Sequence, residues 1–328
     1  MTEFWVAALA LTIFLYVILD GFDLGVGMLF PFIGSEAGRR HMLAAIAPVW
    51  DGNETWLVLN ATILFGMFPV VYATLLSAFY VPLFLMLAAL IFRGVAFEFR
   101  GKSTRMRQFW DAGFVVGSFV ATFIQGVTIG ALVHELPLQD GKYVGGPFGW
   151  ASPFALLCGV GLWLGYMLLG AGWLTYKTTE DVQKFAFRLL PKLMFGVLAF
   201  LVVAFFSALY LHLPVMHRWI DRPLLFVFPL AGILACWLLF WSVSRRRELL
   251  PFLAGIGIFA AAMGTLAISF YPYMIPFSIT VADAAAPYSS QVFFFWGAGL
   301  VALPLTLIYT LVVYFVFKGK TSVEPLSY

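Results

Sequence analysis

Long apolar blocks, broken by short polar intervals, set the pattern along this chain. A helix that crosses the hydrocarbon core of a bilayer needs about 20 mostly apolar residues. Blocks of that size fall at 4–32, 48–73, 77–99, 111–134, 152–176, 193–213, 223–243, 250–272 and 291–317. The expected fold class is therefore all-α: a polytopic membrane protein of about nine transmembrane helices. The second block opens on the polar cluster Trp50-Asp51-Gly52-Asn53-Glu54, which a hydropathy scan penalises. It is retained because nine helices, and not eight, sort the charges in the connections.

With nine helices, fifteen of the 19 basic residues fall on one side. They are Arg39 and Arg40, then Arg100, Lys102, Arg105 and Arg107, then Lys177, Lys184, Arg188 and Lys192, and finally Arg245, Arg246, Arg247, Lys318 and Lys320. Only Lys142, Arg218 and Arg222 fall on the other side, and Arg93 lies within a helix. Basic connections stay in the cytoplasm, so the N-terminus is expected outside and the C-terminus inside. The longest connections lie near 135–151, 177–192 and 273–290, and Trp5, Tyr72, Tyr80, Trp110, Trp150, Tyr176 and Trp219 sit near helix ends, as interfacial aromatics do. The expected organisation is one membrane domain, 1–328, with residues 1–134, 152–272 and 291–317 carrying helices one to four, five to eight and nine. An internal repeat is too weak to identify.

Composition agrees. Hydrophobic residues make up 62% of the 328, charged residues 11%, and mean hydropathy is +0.96, whereas soluble domains carry about 25% charged residues. Cys158 and Cys236 form no paired motif and fit small packing residues. The first block has no basic leader or small-residue cleavage site and is expected to persist as a helix.

The informative residues are the ionisable ones inside helices, where charge is costly. They gather in the first hundred positions: Asp20, Asp23, Asp51, Glu54, Arg93 and Glu98. Asp20 and Asp23 share a face of the first helix, and Asp51 and Glu54 a face of the second. Lys102, Glu98, Asp51 and then Glu54 lead inward from the basic side, the arrangement of a proton relay. Asp20, Asp23 and Arg93 are expected to be structural buried charges, Arg93 pairing with Asp20 or Asp23 to lock the bundle, and a structural role stays open for Asp51, Glu98 and Glu54 too. Asp111 is expected to serve the positive end of a helix dipole. Gly21, Gly25 and Gly27 are expected to admit a close helix neighbour; no strand precedes them, so no nucleotide or nucleic-acid site is indicated. His41, His134, His212 and His217 all avoid mid-helix positions, and the methionines, Met86, Met167, Met194 and Met263 among them, suit packing. No axial haem ligand is therefore expected in this chain, and no His-carboxylate metal site.

The stretches 20–27 (Asp20-Gly21-Phe22-Asp23-Leu24-Gly25-Val26-Gly27) and 46–56 (Ile46 to Trp56, through Trp50-Asp51-Gly52-Asn53-Glu54) closely resemble subunit II of cytochrome bd-type quinol oxidases. Phe92-Arg93-Gly94 through Glu98-Phe99-Arg100, Trp110-Asp111, Tyr271-Pro272-Tyr273-Met274-Ile275-Pro276 and Ser289-Ser290-Gln291 continue the match in order. The compact length and short loops look like the cyanide-insensitive branch. The resemblance implies two four-helix bundles plus one extra helix, in the bacterial cytoplasmic membrane. It implies a partner, subunit I, that ligates two haems b and one haem d and oxidises quinol, leaving this chain without a directly bound cofactor. Lipid and a small single-helix accessory subunit are further partners it admits. It also implies a proton pathway through Asp51, Glu98 and Lys102, with glutamate at 98 where relatives often have aspartate, and an oxygen route lined by Trp56, for which a packed core tryptophan is the equal alternative. Three rivals remain: a secondary transporter, which should show polar groups and broken helices in both halves; a haem-bearing electron carrier, which the histidines oppose; and an assembly scaffold.

Overall fold

The computed structural model describes residues 1–139, 141–213 and 223–321. His217, Arg218, Trp219 and Arg222 lie outside the described residues. The helices are α1 (Thr2–Leu29), α2 (Glu36–Ile46), α3 (Trp50–Met67), α4 (Pro69–Lys102), α5 (Arg107–Val133) and α6 (Pro153–Lys177). They continue as α7 (Glu180–Tyr210), α8 (Val227–Ser244), α9 (Leu250–Phe270), the short α10 (Val281–Ala284) and α11 (Tyr288–Val316), which winds as a π-helix over Phe295–Ala302. Among the described residues eight helices are long and apolar enough to cross a membrane; α3, weakened by its polar first turn, is the ninth and less apolar one. It still runs end to end. Tyr314 OH donates to Asn53 near its start, and the Met67 carbonyl at its end accepts from the Ala286 N–H.

One group of helices comprises α1, α3, α4 and α5, and a second comprises α6 to α9; they join where α1 and α5 pack on α6, and α11 lies beside α3. The seam between α1 and α6 is glycine-lined. A Cβ on Gly25 would stand 1.9 Å from the Tyr166 carbonyl oxygen, and one on Gly170 2.6 Å from the Gly25 carbonyl carbon. Small residues at such crossings let backbones touch, which is how helices associate in lipid.

Several boundaries differ from the hydropathy pattern. The break between the second and third helices is at Phe68 (φ −134°, ψ 58°), not near residue 75, because Pro69 starts α4. Phe79 and Pro82 then kink α4 within its first half. Helix α7 begins at Glu180, so most of the expected 177–192 connection is helix. The first basic-side loop contains the amphipathic α2, capped by Ser35, whose hydroxyl accepts from the Gly38 N–H. Two small antiparallel hairpins sit in the opposite connections: β1 (Leu138–Gln139) with β2 (Lys142–Tyr143), and β3 (Tyr273–Ile275) with β4 (Ile279–Thr280).

The basic ends converge in space. Asp111 is four residues inside α5 and serves as an ion-pair hub rather than a dipole cap: it meets Arg39 at 3.1 Å and Arg100 by a very short contact. Arg100 also binds Glu36 at 2.9 Å. Burial alone would raise the Glu36 carboxyl, but bonding to Arg100, with Arg107 and Arg40 nearby, holds it below its ordinary value. The chain after α11 folds back over this end. The Thr321 N–H donates to the Lys177 carbonyl at 2.8 Å, and the Thr321 carbonyl accepts from His41 Nε2 at 3.1 Å.

Candidate functional site: the charged seam of α1, α3 and α4

Asp20 and Asp23 are fully buried, one turn apart on α1, and Arg93 of α4 is 1% exposed. One guanidinium nitrogen, Arg93 Nη1, lies 2.7 Å from Glu54 Oε1 of α3 and 3.8 Å from Asp20 Oδ1. The guanidinium also faces the Phe114 ring, 5.7 Å from its centroid. Arg93 therefore bonds Glu54 directly and reaches Asp20 at longer range. Asp23 is served by a neutral group: Asn53 Nδ2 donates to it at 2.6 Å, and Tyr314 OH donates to Asn53 Oδ1 at 3.0 Å. Three carboxylates thus share one arginine and one amide.

Beyond Asp20 the polar chain continues through neutral groups. Gln125 Nε2 donates to Tyr16 OH at 2.9 Å, and Tyr166 OH donates to Gln125 Oε1 at 2.8 Å. Both oxygens of Asp20, Oδ1 of Asp23, Nε of Arg93, Nε1 of Trp56 and Oδ1 of Asn60 have no hydrogen-bond partner among the described residues. Buried polar atoms of this kind are those that ordered water normally satisfies.

The other sequence-derived residues lie outside this cluster. Asp51, Glu98 and Lys102 are exposed on the outer surface of α3 and α4, with no hydrogen bond or ion pair from their side chains among the described residues; Lys102 Nζ sits 6.0 Å from the Phe99 ring centroid. Glu54 is the bridge. Its side chain is 26% exposed, so the inner cluster reaches the surface that carries Asp51. Trp56 is fully buried among Trp5, Tyr16, Ile63 and their neighbours. Asn53, Tyr16, Gln125, Tyr166 and Tyr314 received no role from sequence reasoning. These side chains carry no charge at neutral pH, so a search for charged groups inside apolar blocks passes over them.

His41 Nε2 is engaged by Thr321, while His134 and His212 follow the last residues of α5 and α7. No group of three or more His, Cys, Asp or Glu side chains suited to a metal ion occurs among the described residues.

Residues 1–317 match the family described as cytochrome bd terminal oxidase subunit II. The chain belongs to that family. It is 32% identical to the probable cytochrome oxidase subunit 2 of Haemophilus influenzae, covering 95% of this chain and 89% of that protein. It is 30% identical to the cytochrome bd-I ubiquinol oxidase subunit 2 of Escherichia coli K12 (95% and 93%) and 31% identical to the cytochrome bd ubiquinol oxidase subunit 2 of Bacillus subtilis (99% and 98%). The fold matches a chain of the bd oxidase of Geobacillus thermodenitrificans with TM-score 0.77 at 19% identity, over 97% of this chain and 99% of that one. As a cytochrome bd subunit II, the chain is a multi-pass protein of the bacterial cytoplasmic membrane, a member of a haem-based oxidoreductase complex, and one whose counterpart is a subunit I.

Proposed function

We propose that this subunit II is haem-free and stabilises a haem-bearing subunit I, in a complex that oxidises quinol and reduces dioxygen to water. Its α3–α4 surface delivers cytoplasmic protons, and the apolar surroundings of Trp56 admit oxygen. The basic end faces the cytoplasm and the N-terminus lies outside, in keeping with the charge distribution.

One observation carries the proton reading. Asp51, Glu98 and Lys102 stand uncompensated on an outer surface flanked by Val58, Phe65, Phe84, Ile91 and Phe99, all exposed. Bare charges beside a lipid-facing surface are costly, so a second polypeptide covering α3 and α4 resolves them, and a complex that makes water consumes protons there. Arg93, bonded to Glu54, then acts as a fixed positive charge behind the entry. The ion pair itself favours a second role for Asp20, Arg93 and Glu54, that of locking α1, α3 and α4 together.

Asp51→Asn in the assembled complex tests the pathway. Quinol-driven oxygen uptake should fall at least several-fold with haem content unchanged. Normal turnover with haem retained rejects the pathway, and haem loss assigns Asp51 to assembly instead.

A further inference from the structure

At the basic end, two adjoining hollows open between the ends of α6, α8, α9 and α11. The first, about 230 Å³, is walled by Trp173, Tyr176, Phe252 and Tyr314, with Lys177 and Lys318 at its edge. The second, about 440 Å³, lies between Trp241 and Arg247. Leu249 and Leu253 line both, so the two form one trough with an apolar floor.

The charge around the trough is one-sided. Among the described residues Glu248 is its acid, and Lys320 binds it at 3.0 Å while Gln183 donates to it at 2.9 Å. Lys177, 4% exposed, meets no acid among the described residues: its Nζ donates to the Phe317 carbonyl at 2.5 Å and lies 5.7 Å from the Trp173 ring centroid. Lys318 caps the Phe315 ring at 4.1 Å, and both it and Arg247 are exposed and free of ion pairs among the described residues. Three cations therefore surround a greasy trough bordered by tryptophan and tyrosine, at the depth where lipid headgroups meet water.

We propose that this trough binds one anionic phospholipid of the leaflet facing the basic end, its phosphate between Lys318 and Arg247 and its acyl chains along Leu249 and Leu253. Basic pockets between helix ends recognise anionic headgroups in this way. A neutral quinone head could accept hydrogen bonds from these cations but would leave their charge unneutralised. The inference is independent of the proton reading, because Lys318, Arg247, Leu249 and Leu253, which hold the lipid, lie outside the α1–α3–α4 cluster; Tyr314 alone of the named residues touches both.

The test is native mass spectrometry of the detergent-purified complex after exposure to phosphatidylglycerol or phosphatidylcholine. Phosphatidylglycerol should remain bound, one per complex, and phosphatidylcholine should not. The double variant Lys318→Gln/Arg247→Gln should weaken retention on the order of tenfold, since each surface cation contributes measurably to anionic lipid attraction. Leu253→Trp, which fills the trough and keeps its charges, should also abolish retention. Removing two cations elsewhere on the same face, Arg105→Gln/Lys184→Gln, should leave it intact. Equal retention of the two lipids, no retention of either, or equal losses in both charge variants would overturn the proposal. Displacement of the lipid by inorganic phosphate would overturn the part assigned to the acyl chains.

Discussion

Arg93 is the residue on which the charged seam depends, because among the described residues it brings the only positive charge against Glu54 and Asp20. Losing one partner of a buried pair costs about 3–5 kcal/mol, since the remaining charge stays buried without compensation. Arg93→Gln should therefore lower the unfolding midpoint of the complex far more than Glu54→Gln, which leaves the guanidinium an amide oxygen at position 54 and the Asp20 carboxylate at 3.8 Å. Differential scanning calorimetry of the two variants decides the matter, and equal small shifts would show that Arg93 holds little together. The charged members of the seam were legible in the sequence because an ionisable side chain inside an apolar block stands out. The pairing was not: helical spacing places Asp20 and Asp23 on one face, yet only the packing of three helices selects Glu54 for the direct bond and leaves Asp23 to Asn53.

Among the helices, the α1–α6 crossing is the least tolerant contact. A Cβ at Gly25 would meet the Tyr166 backbone, which cannot swing aside as a side chain does. Overpacking of this kind costs about 1–3 kcal/mol and more where backbone must shift. Gly25→Ala should sharply reduce the yield of assembled complex in size-exclusion chromatography. Gly34→Ala, where a Cβ meets nothing within 4 Å, should leave it unchanged. A Gly25→Ala complex of normal yield would mean the crossing relaxes at no cost. The glycine string announced a close neighbour without saying which helix. Hydropathy likewise located the apolar core of each span and missed what lies at its ends. The first turns of α7 carry Glu180, Asp181 and Lys184 and look like a loop to such a scan, though the backbone is helical. The eleven residues of α2 are too few and too polar to register at all.

At the level of the molecule, the two ends differ in charge and in how they are tied. The end opposite the basic one is closed by hairpins and by Trp5 Nε1 donating to the Gln291 carbonyl. The basic end is closed by the chain after α11, which links α2 to α6 through Thr321. With His41 in the short α2 and His134 and His212 beyond the ends of α5 and α7, the chain purified alone should show no stoichiometric Soret band, and such a band would refute the proposed haem-free assignment. His41 gives the basic end a pH dependence whose sign follows from its burial. Loss of water lowers the imidazole below its ordinary value, opposed by the Thr321 carbonyl and Glu180, so the folded clasp disfavours the protonated ring. Once the clasp opens, the ring titrates near its free value of about 6.5. The open form then binds the proton more tightly, so the clasp keeps its full stability above that pH and loses it as the pH falls toward the depressed folded value. Hydrogen exchange at Thr321 and Thr178, corrected for intrinsic rates, should be faster at about pH 5.5 than at about pH 7.5. In His41→Gln the difference should vanish, because the amide keeps a donor for the Thr321 carbonyl without titrating; a pH dependence that survives this substitution would place the switch on another group.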